Sequence, residues 1–306
     1  MRTIAWNCRG AGRAPTVRAL KELIRESNPD IVFLSETKIN SPKVNKLCNR
    51  FKFADSWCVD SNGSSGGLAL FWRLGVELEV VFSDRNMIVA LVYSDPLEAP
   101  WLLFAIYGPF QRSKRKKFWE LLENMVSSFS GPWAVIGDFN CIKRAKEKCG
   151  GRLVAKSSVN CLRDFMLNKG AIDLGFIGPS FTWSNRREGL ANIKERLDQC
   201  LCDQEWQNLF PKAGVRHLRN SNSNHNPIML DTHLDSGKWP RPFRFEAMWT
   251  KEEGSRQVVE GARQTWVEGS HGFKLVKKLS VTCRDLLRWN KEKFGNTKEK
   301  NQRSPK

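Results

Sequence analysis

The 306-residue sequence has no apolar run approaching the roughly 18–20 residues that cross a bilayer, so a soluble protein is expected. It contains neither CxxC nor HExxH, and its closest cysteines, Cys200 and Cys202, are one residue apart, which leaves zinc without its usual ligand spacing. Met1-Arg2-Thr3-Ile4 does not open a signal peptide, and nine cysteines cannot all pair. Reduced thiols in the cytoplasm or nucleus are therefore expected rather than a disulfide framework, with no signal that separates the two compartments. No internal repeat is visible, which argues against a solenoid. Acidic residues are scarce beside basic ones, 32 against 50, and the net charge of +18 with a pI of about 9.7 points to a polyanionic partner.

The first two-thirds alternate short apolar runs with amphipathic stretches, the pattern of an α/β protein in packed layers. Thr3-Ile4-Ala5-Trp6, Ile31-Val32-Phe33-Leu34 and Trp133-Ala134-Val135-Ile136 are continuous apolar runs followed by polar residues, as in strands buried on both faces. Helical spacing predicts helices over about Thr16 to Ser27, Ser113 to Phe129 and Ser158 to Asn168. From Gly67 to Gly108, four β-rich runs broken by Gly, Asp-Arg-Asn and Pro read as one antiparallel meander.

The character changes near Ser236, where Pro240 and Pro242 mark a linker. Residues 236–306 carry 17 Lys+Arg against 8 Asp+Glu, half of the total net charge. Two segments are expected: residues 1–235 as the functional domain and residues 236–306 as a basic, partly helical tail. Lys114-Arg115-Lys116-Lys117 reads as the solvated first turn of a helix before it reads as a nuclear signal.

Polar residues stand where the apolar strands stop: Asn7, Glu36, Asp138 with Asn140, and Asp198. Taken singly, each has a plain structural explanation as a cap or a tight turn. Together they hold what phosphodiester hydrolysis requires, namely oxygen ligands for a hard cation, a group to activate water and a donor for the phosphate. Glu36 and Asp138 suit metal ligation or base catalysis, Asn7 and Asn140 suit orientation, and His225 held by Asp198 suits donation to a nonbridging oxygen.

In order along the chain, Trp6-Asn7-Cys8-Arg9-Gly10, Leu34-Ser35-Glu36-Thr37, Ile106-Tyr107-Gly108, Gly137-Asp138-Phe139-Asn140, Ser180-Phe181-Thr182-Trp183, Arg196-Leu197-Asp198 and Ser223-Asn224-His225-Asn226-Pro227 resemble the successive motifs of the endonuclease/exonuclease/phosphatase family. Ser35-Glu36-Thr37-Lys38, Phe243 to Trp249 and Trp289-Asn290-Lys291-Glu292 look closest to endonuclease domains of plant LINE-type (non-LTR) retrotransposons, in which the last motifs lead toward a reverse transcriptase. The resemblance implies a four-layer α/β sandwich of two packed mixed β-sheets flanked by helices. It implies a DNA-nicking, divalent-metal-dependent phosphodiester hydrolase with Mg²⁺ or Mn²⁺ as cofactor and DNA as partner. No membrane and no obligate protein partner are expected.

Residue by residue, it implies that Glu36, Asn7 and Asn224 form the metal side of the site and that Tyr107 contacts the scissile phosphate. Asp138 activates water, Asn140 orients Asp138 and the phosphate, and His225 paired with Asp198 stabilises charge on the phosphorus. Arg9, Thr182, Trp183 and Arg196 are the expected nucleic-acid contacts. One position departs from the family: Asn224 stands where Ser-Asp-His is usual. An amide brings no negative charge to a cation and accepts no proton, so a weakened enzyme is expected, with a catalytically inactive nucleic-acid-binding remnant as the alternative.

Overall fold

The computed structural model describes residues 1–63, 65–96, 99–152, 160–219, 222–234, 249–250 and 252–294. The chain divides into two compact units, Met1–Ser236 and Gly237–Lys306. The linker expected around Pro240 and Pro242 and the motif beginning at Phe243 fall outside the described residues, apart from Trp249.

In the first unit, β1 (Arg2–Asn7) is followed by α1 (Ala14–Ser27), β2 (Ile31–Ser35), α2 (Ser41–Arg50), β3 (Asp55–Val59) and β4 (Leu68–Trp72). Three further strands, β5 (Leu78–Ser83), β6 (Met87–Val92) and β7 (Trp101–Tyr107), precede α3 (Arg112–Ser127) and β8 (Trp133–Asp138). After the short β9 (Lys148–Cys149) come α4 (Asn160–Asn168), β10 (Ile172–Asp173), β11 (Trp183–Ser184), β12 (Lys194–Glu195), β13 (Asp198–Cys202), α5 (Gln204–Leu209), β14 (Gly214–His217) and β15 (Ile228–Asp231).

Two six-stranded sheets result, ordered β14-β15-β1-β2-β4-β3 and β10-β13-β8-β7-β6-β5. They are built alike. Each has one parallel pair at its centre, β1 with β2 and β7 with β8, joined through a crossover helix, and antiparallel neighbours on either side. The expectation of one meander from Gly67 to Gly108 is corrected here. β4 pairs with β2 and β3 in the first sheet, whereas β5, β6 and β7 pair in the second, so the chain changes sheets between Trp72 and Leu78. Turn signals mark where strands end but not which partner they take.

Burial completes the four layers. Ala5, Ile31, Phe33 and Leu70 of the first sheet meet Ile88, Leu103, Ala134 and Ile136 of the second in a core between the sheets. Leu20, Leu23 and Val44 cover the outer face of one sheet, and Phe118, Leu122 and Phe165 that of the other. With both faces covered, β2 and β8 bury every residue, which explains their largely apolar sequences. At about 25 cal/mol per Å² of apolar surface removed from water, this burial is the main driving term.

In the second unit, α6 (Glu253–Gln264) and α7 (His271–Phe294) form a helix pair. Trp249 meets Trp289 edge to face at 6.0 Å and donates its indole N–H to Asn290 Oδ1 at 3.0 Å. A side chain at Gly254 would stand 2.7 Å from the Trp289 indole nitrogen, so only glycine admits that ring.

Candidate active site

The carboxyl ends of both parallel pairs converge on one place. Asn7 aligns with Ser35 across β1 and β2, and Tyr107 aligns with Asp138 across β7 and β8, so strand ends from both sheets supply the polar side chains. Asp198 opens β13 directly opposite Asp138. Leaving the strands costs backbone strain. Arg9, Glu36 and Asn140 all adopt left-handed conformations, with φ of 49°, 51° and 50°, which costs a non-glycine residue about 1–2 kcal/mol. Such strain gathers where the surrounding structure fixes a side chain for use.

Asn7 stands at the centre. Its Nδ2 donates to Glu36 Oε1 at 3.0 Å and to Asp138 Oδ2 at 2.9 Å, linking the two sheets. The Tyr107 hydroxyl donates to the same Glu36 oxygen at 3.0 Å. Asp138 Oδ1 accepts the main-chain N–H of Asn140 at 2.9 Å, and Asn140 Nδ2 donates to the Gly108 carbonyl at 2.8 Å. A Cβ at Gly108 would lie 2.4 Å from the Phe139 carbonyl oxygen, so glycine is what lets these two loops close together. On the other side of Asp138, His225 Nε2 lies 3.7 Å from Oδ2, while His225 Nδ1 donates to Asp198 Oδ2 at 3.0 Å. Trp6 Nε1 holds the His225 carbonyl, and Ser223 Oγ accepts the His225 N–H while donating to the Asn7 carbonyl.

These contacts set the charges. Burial would raise the Glu36 carboxyl, but donation from Asn7 and Tyr107 and the nearby Arg9 and Lys38 outweigh it and hold it below its ordinary value. Asp138 has no such surplus. Burial, with the neighbouring Asp198, pushes it up to about 6 against the opposing pull of His225. Burial also pulls His225 down, but Asp198 and Asp138 more than offset this and favour the imidazolium. Tyr107 is driven far above the usual phenol range by burial beside Glu36 and Asp138, so it stays a donor.

Of the expected nucleic-acid contacts, Arg9 is exposed beside Glu36, 4.0 Å away, and Trp183 bridges His225 along the backbone with its ring 6.5 Å from the imidazole. The structure places the two others inside the fold. Thr182 is fully buried, and its hydroxyl accepts the N–H groups of Leu197 and Asp198, each at 3.0 Å, which fixes the strand that carries Asp198. Arg196 is only 3% exposed. Its guanidinium grips Asp173 through both terminal nitrogens and Glu147 at 3.0 Å, and it stacks 4.8 Å from the Phe176 centroid. Lys143 joins the same carboxylates, and burial beside Arg196 pushes its amine down to about 7. Thr182 and Arg196 are thus both engaged inside the fold. Sequence reading missed this network; the only local signal was the i,i+4 spacing of Lys143 and Glu147. It quoted Ser223 within a motif but gave no role to its hydroxyl, which joins two distant segments.

The model of the Endonuclease/Exonuclease/phosphatase family matches residues 4–219. The chain belongs to that family. Solved structures agree on the fold. The AP endonuclease LMAP from Leishmania major superposes with a TM-score of 0.60 at 16% identity, over 75% of this chain and 86% of its own. The 3' phosphatase NExo from Neisseria, solved with a product DNA hairpin, gives 0.59 at 17% identity, over 76% and 98%. The endonuclease domain of TRAS1, a telomere-specific non-LTR retrotransposon, gives 0.58 at 13% identity, over 77% and 99%. No curated protein is similar enough in sequence to count as a relative. At these identities the likeness is one of fold.

For a chain of the endonuclease/exonuclease/phosphatase family, the donor set suits a hard divalent cation. The Oδ1 atoms of Asn7 and Asn224 are buried with no hydrogen-bond partner among the described residues, and Glu36 Oε2 meets only cations, Lys38 at 3.8 Å and Arg9 at 4.0 Å. Asp138, Asp198 and His225 also present ligand atoms within 4.8 Å of one another. Oxygen donors of this kind bind Mg²⁺ or Mn²⁺ in preference to softer metals.

Proposed function

We propose that the protein is a divalent-metal-dependent phosphodiester hydrolase that nicks DNA, of the kind carried by LINE-type retrotransposons. The observation that carries this reading is the double donation of Asn7 Nδ2 to Glu36 and Asp138, which sets a metal-type carboxylate and a base-type carboxylate side by side. The DNA hairpin bound to the Neisseria phosphatase and the retrotransposon origin of the TRAS1 domain favour DNA as substrate and the element as source.

Glu36, with the free amide oxygens of Asn7 and Asn224, would hold the cation, which supplies Lewis-acid polarisation of the phosphate when bound. Asp138 accepts a proton from the attacking water, its raised affinity for protons making it a competent base near neutral pH. Asn140 fixes Asp138 through its main-chain N–H. His225, kept cationic by Asp198, donates from Nε2 to a nonbridging oxygen as charge builds there. Tyr107, always protonated, turns its hydroxyl from Glu36 to the phosphate.

Nicking of supercoiled plasmid with Mg²⁺, with and without chelator, tests this. Metal-dependent relaxation that Glu36→Gln and Asp138→Asn both abolish is expected; full activity in both variants rejects the site. The second reading, a nucleic-acid-binding remnant without activity, is favoured by one observation, the amide at Asn224, and predicts DNA binding without nicking under any divalent metal.

A further inference from the structure

The second unit carries a surface that its own packing leaves unused. The span of α7, residues 271–294, holds seven Lys+Arg against two Asp+Glu. One side of the helix is committed to α6. Leu286 is 1% exposed, and Trp289 packs where α6 has Gly254. Two of the cations serve the same seam: Lys278 Nζ donates to the Arg263 carbonyl at 2.7 Å, and Lys293 pairs with Glu252.

The opposite side has no such duty. At 3.6 residues per turn, Phe273, Lys277, Arg284 and Arg288 fall within about 60° of one another, roughly half a turn from Leu286. All four are exposed, Phe273 by 49%. Arg284 and Arg288 stand four residues apart, a like-charge spacing that works against a helix. A single carboxylate answers both, Asp285, at 3.1 Å from Arg284 and 3.8 Å from Arg288. Among the described residues Lys277 has no carboxylate within ion-pair distance; its ammonium lies 5.6 Å from the Phe273 ring centroid. A Cβ at Gly269 would meet Phe273 at 2.8 Å, so the ring packs on the turn before α7, in which Trp266 is 81% exposed. Two open aromatic rings therefore stand at one end of a row of cations, and Lys277 to Arg288 spans about 17 Å at about 1.5 Å per residue.

We propose that this outer side of α7 binds a single strand of nucleic acid, with Lys277, Arg284 and Arg288 on its phosphates and Phe273 and Trp266 stacked on its bases. Single strands are held where cations track the backbone and aromatic faces meet unpaired bases. The row of cations matches about five nucleotides at about 3.4 Å per step. A lipid surface fits less well. A helix lying on a membrane buries its apolar face in lipid. In α7 that face meets α6 at Leu286 and Trp289, which leaves Leu275 and Leu279 of it in the open. Every residue of the surface belongs to the second unit, so the proposal does not rest on hydrolysis by residues 1–236.

The test uses the full chain with chelator, fluorescent single strands of RNA and of DNA about 15 nucleotides long, and a duplex of the same sequence, with affinity measured across a salt series. Each phosphate contact on a single strand contributes about 0.7 to the slope of log affinity against log salt, so Lys277→Gln/Arg284→Gln/Arg288→Gln should flatten the slope by about 2. Arg18→Gln/Lys21→Gln/Arg25→Gln removes the same charge from exposed positions of α1 and should leave the slope as it was. Trp266→Ala/Phe273→Ala should weaken single-strand binding at least about 5-fold at an unchanged slope, and should not alter duplex binding. Far-UV circular dichroism checks that each variant keeps the parent's helix content. These losses on either the RNA or the DNA arm support the surface, the tighter arm naming its source. An unchanged slope in the α7 triple variant overturns the proposal, as does an equal change in the α1 variant or an unchanged affinity in the aromatic one. So do a parent protein that binds neither strand at low salt, and a loss in the α7 variants confined to phosphatidylserine vesicles.

Discussion

Asp138 and Asp198 are register partners across β8 and β13, and the imidazole of His225 lies between their carboxylates, 3.7 Å from the first and 3.0 Å from the second. One strand pair thus brings two carboxylates to a single imidazole. Asp138 meets the amide of Asn7 and the backbone of Asn140, whereas the Asp198 side chain is committed to the histidine.

Asp198→Asn should therefore lower nicking without unfolding the protein. An amide still bonds to Nδ1 but no longer stabilises the imidazolium, and loss of such an orienting carboxylate costs about 10–100-fold. Rates of plasmid relaxation at saturating Mg²⁺, with the thermal midpoint as control, provide the measurement. An unaltered rate would take His225 out of the chemistry.

Asn224→Asp should raise the nicking rate or lower the Mg²⁺ requirement by about 10–100-fold. Its buried Oδ1 has no hydrogen-bond partner among the described residues, so a carboxylate there gains a buried charge that a bound cation would balance. Without metal, the variant should melt below the parent, and Mg²⁺ should recover the loss. If melting and rate are both the same as the parent's, position 224 lies outside the metal site.

The Arg196 network makes a prediction about stability alone. Arg196→Met leaves Lys143 as the remaining cation for Glu147 and Asp173, and breaking a buried pair from one side costs about 3–5 kcal/mol. Arg256→Met, which breaks the exposed pair with Glu260, should cost under about 1 kcal/mol. Urea unfolding of both variants measures the contrast; equal losses would mean the network contributes little.

His217 gives the pH dependence. It is 4% exposed, stacks on Phe176 at 4.2 Å, and donates from Nδ1 to the Pro179 carbonyl at 2.7 Å. Burial, with Arg196 and Lys143 nearby, pulls it down to about 4, against Pro179 and Asp198, which favour its charged form. The folded protein keeps His217 neutral, so its contribution is complete above about pH 6.5. It falls as the pH drops toward 4, because the unfolded chain takes up the proton first. The loss is on the order of 3 kcal/mol. In His217→Phe, urea midpoints should fall less between pH 7 and pH 4.5 than in the parent; parallel curves would show that another group governs acid unfolding.

Much of this was legible in the sequence. The apolar runs ending at Asn7, Glu36 and Asp138 placed three candidate site residues at strand ends, because a strand covered on both faces is apolar until it reaches solvent. The ordered motifs carried the family and its layered fold, now matched over residues 4–219. Strand pairing and the burial of polar side chains were not legible. Leu68–Trp72 reads like its neighbours, yet it crosses to the other sheet, since strand partners are chosen by contacts remote in sequence. Arg196 reads as a ligand for phosphate, and only the packing of Glu147, Asp173 and Phe176 around it shows a structural cation. Thr182 likewise looks outward in sequence and lies inward in space. A sequence fixes which groups a chain owns, but whether a charge meets solvent or a buried partner depends on tertiary distances of a few ångströms.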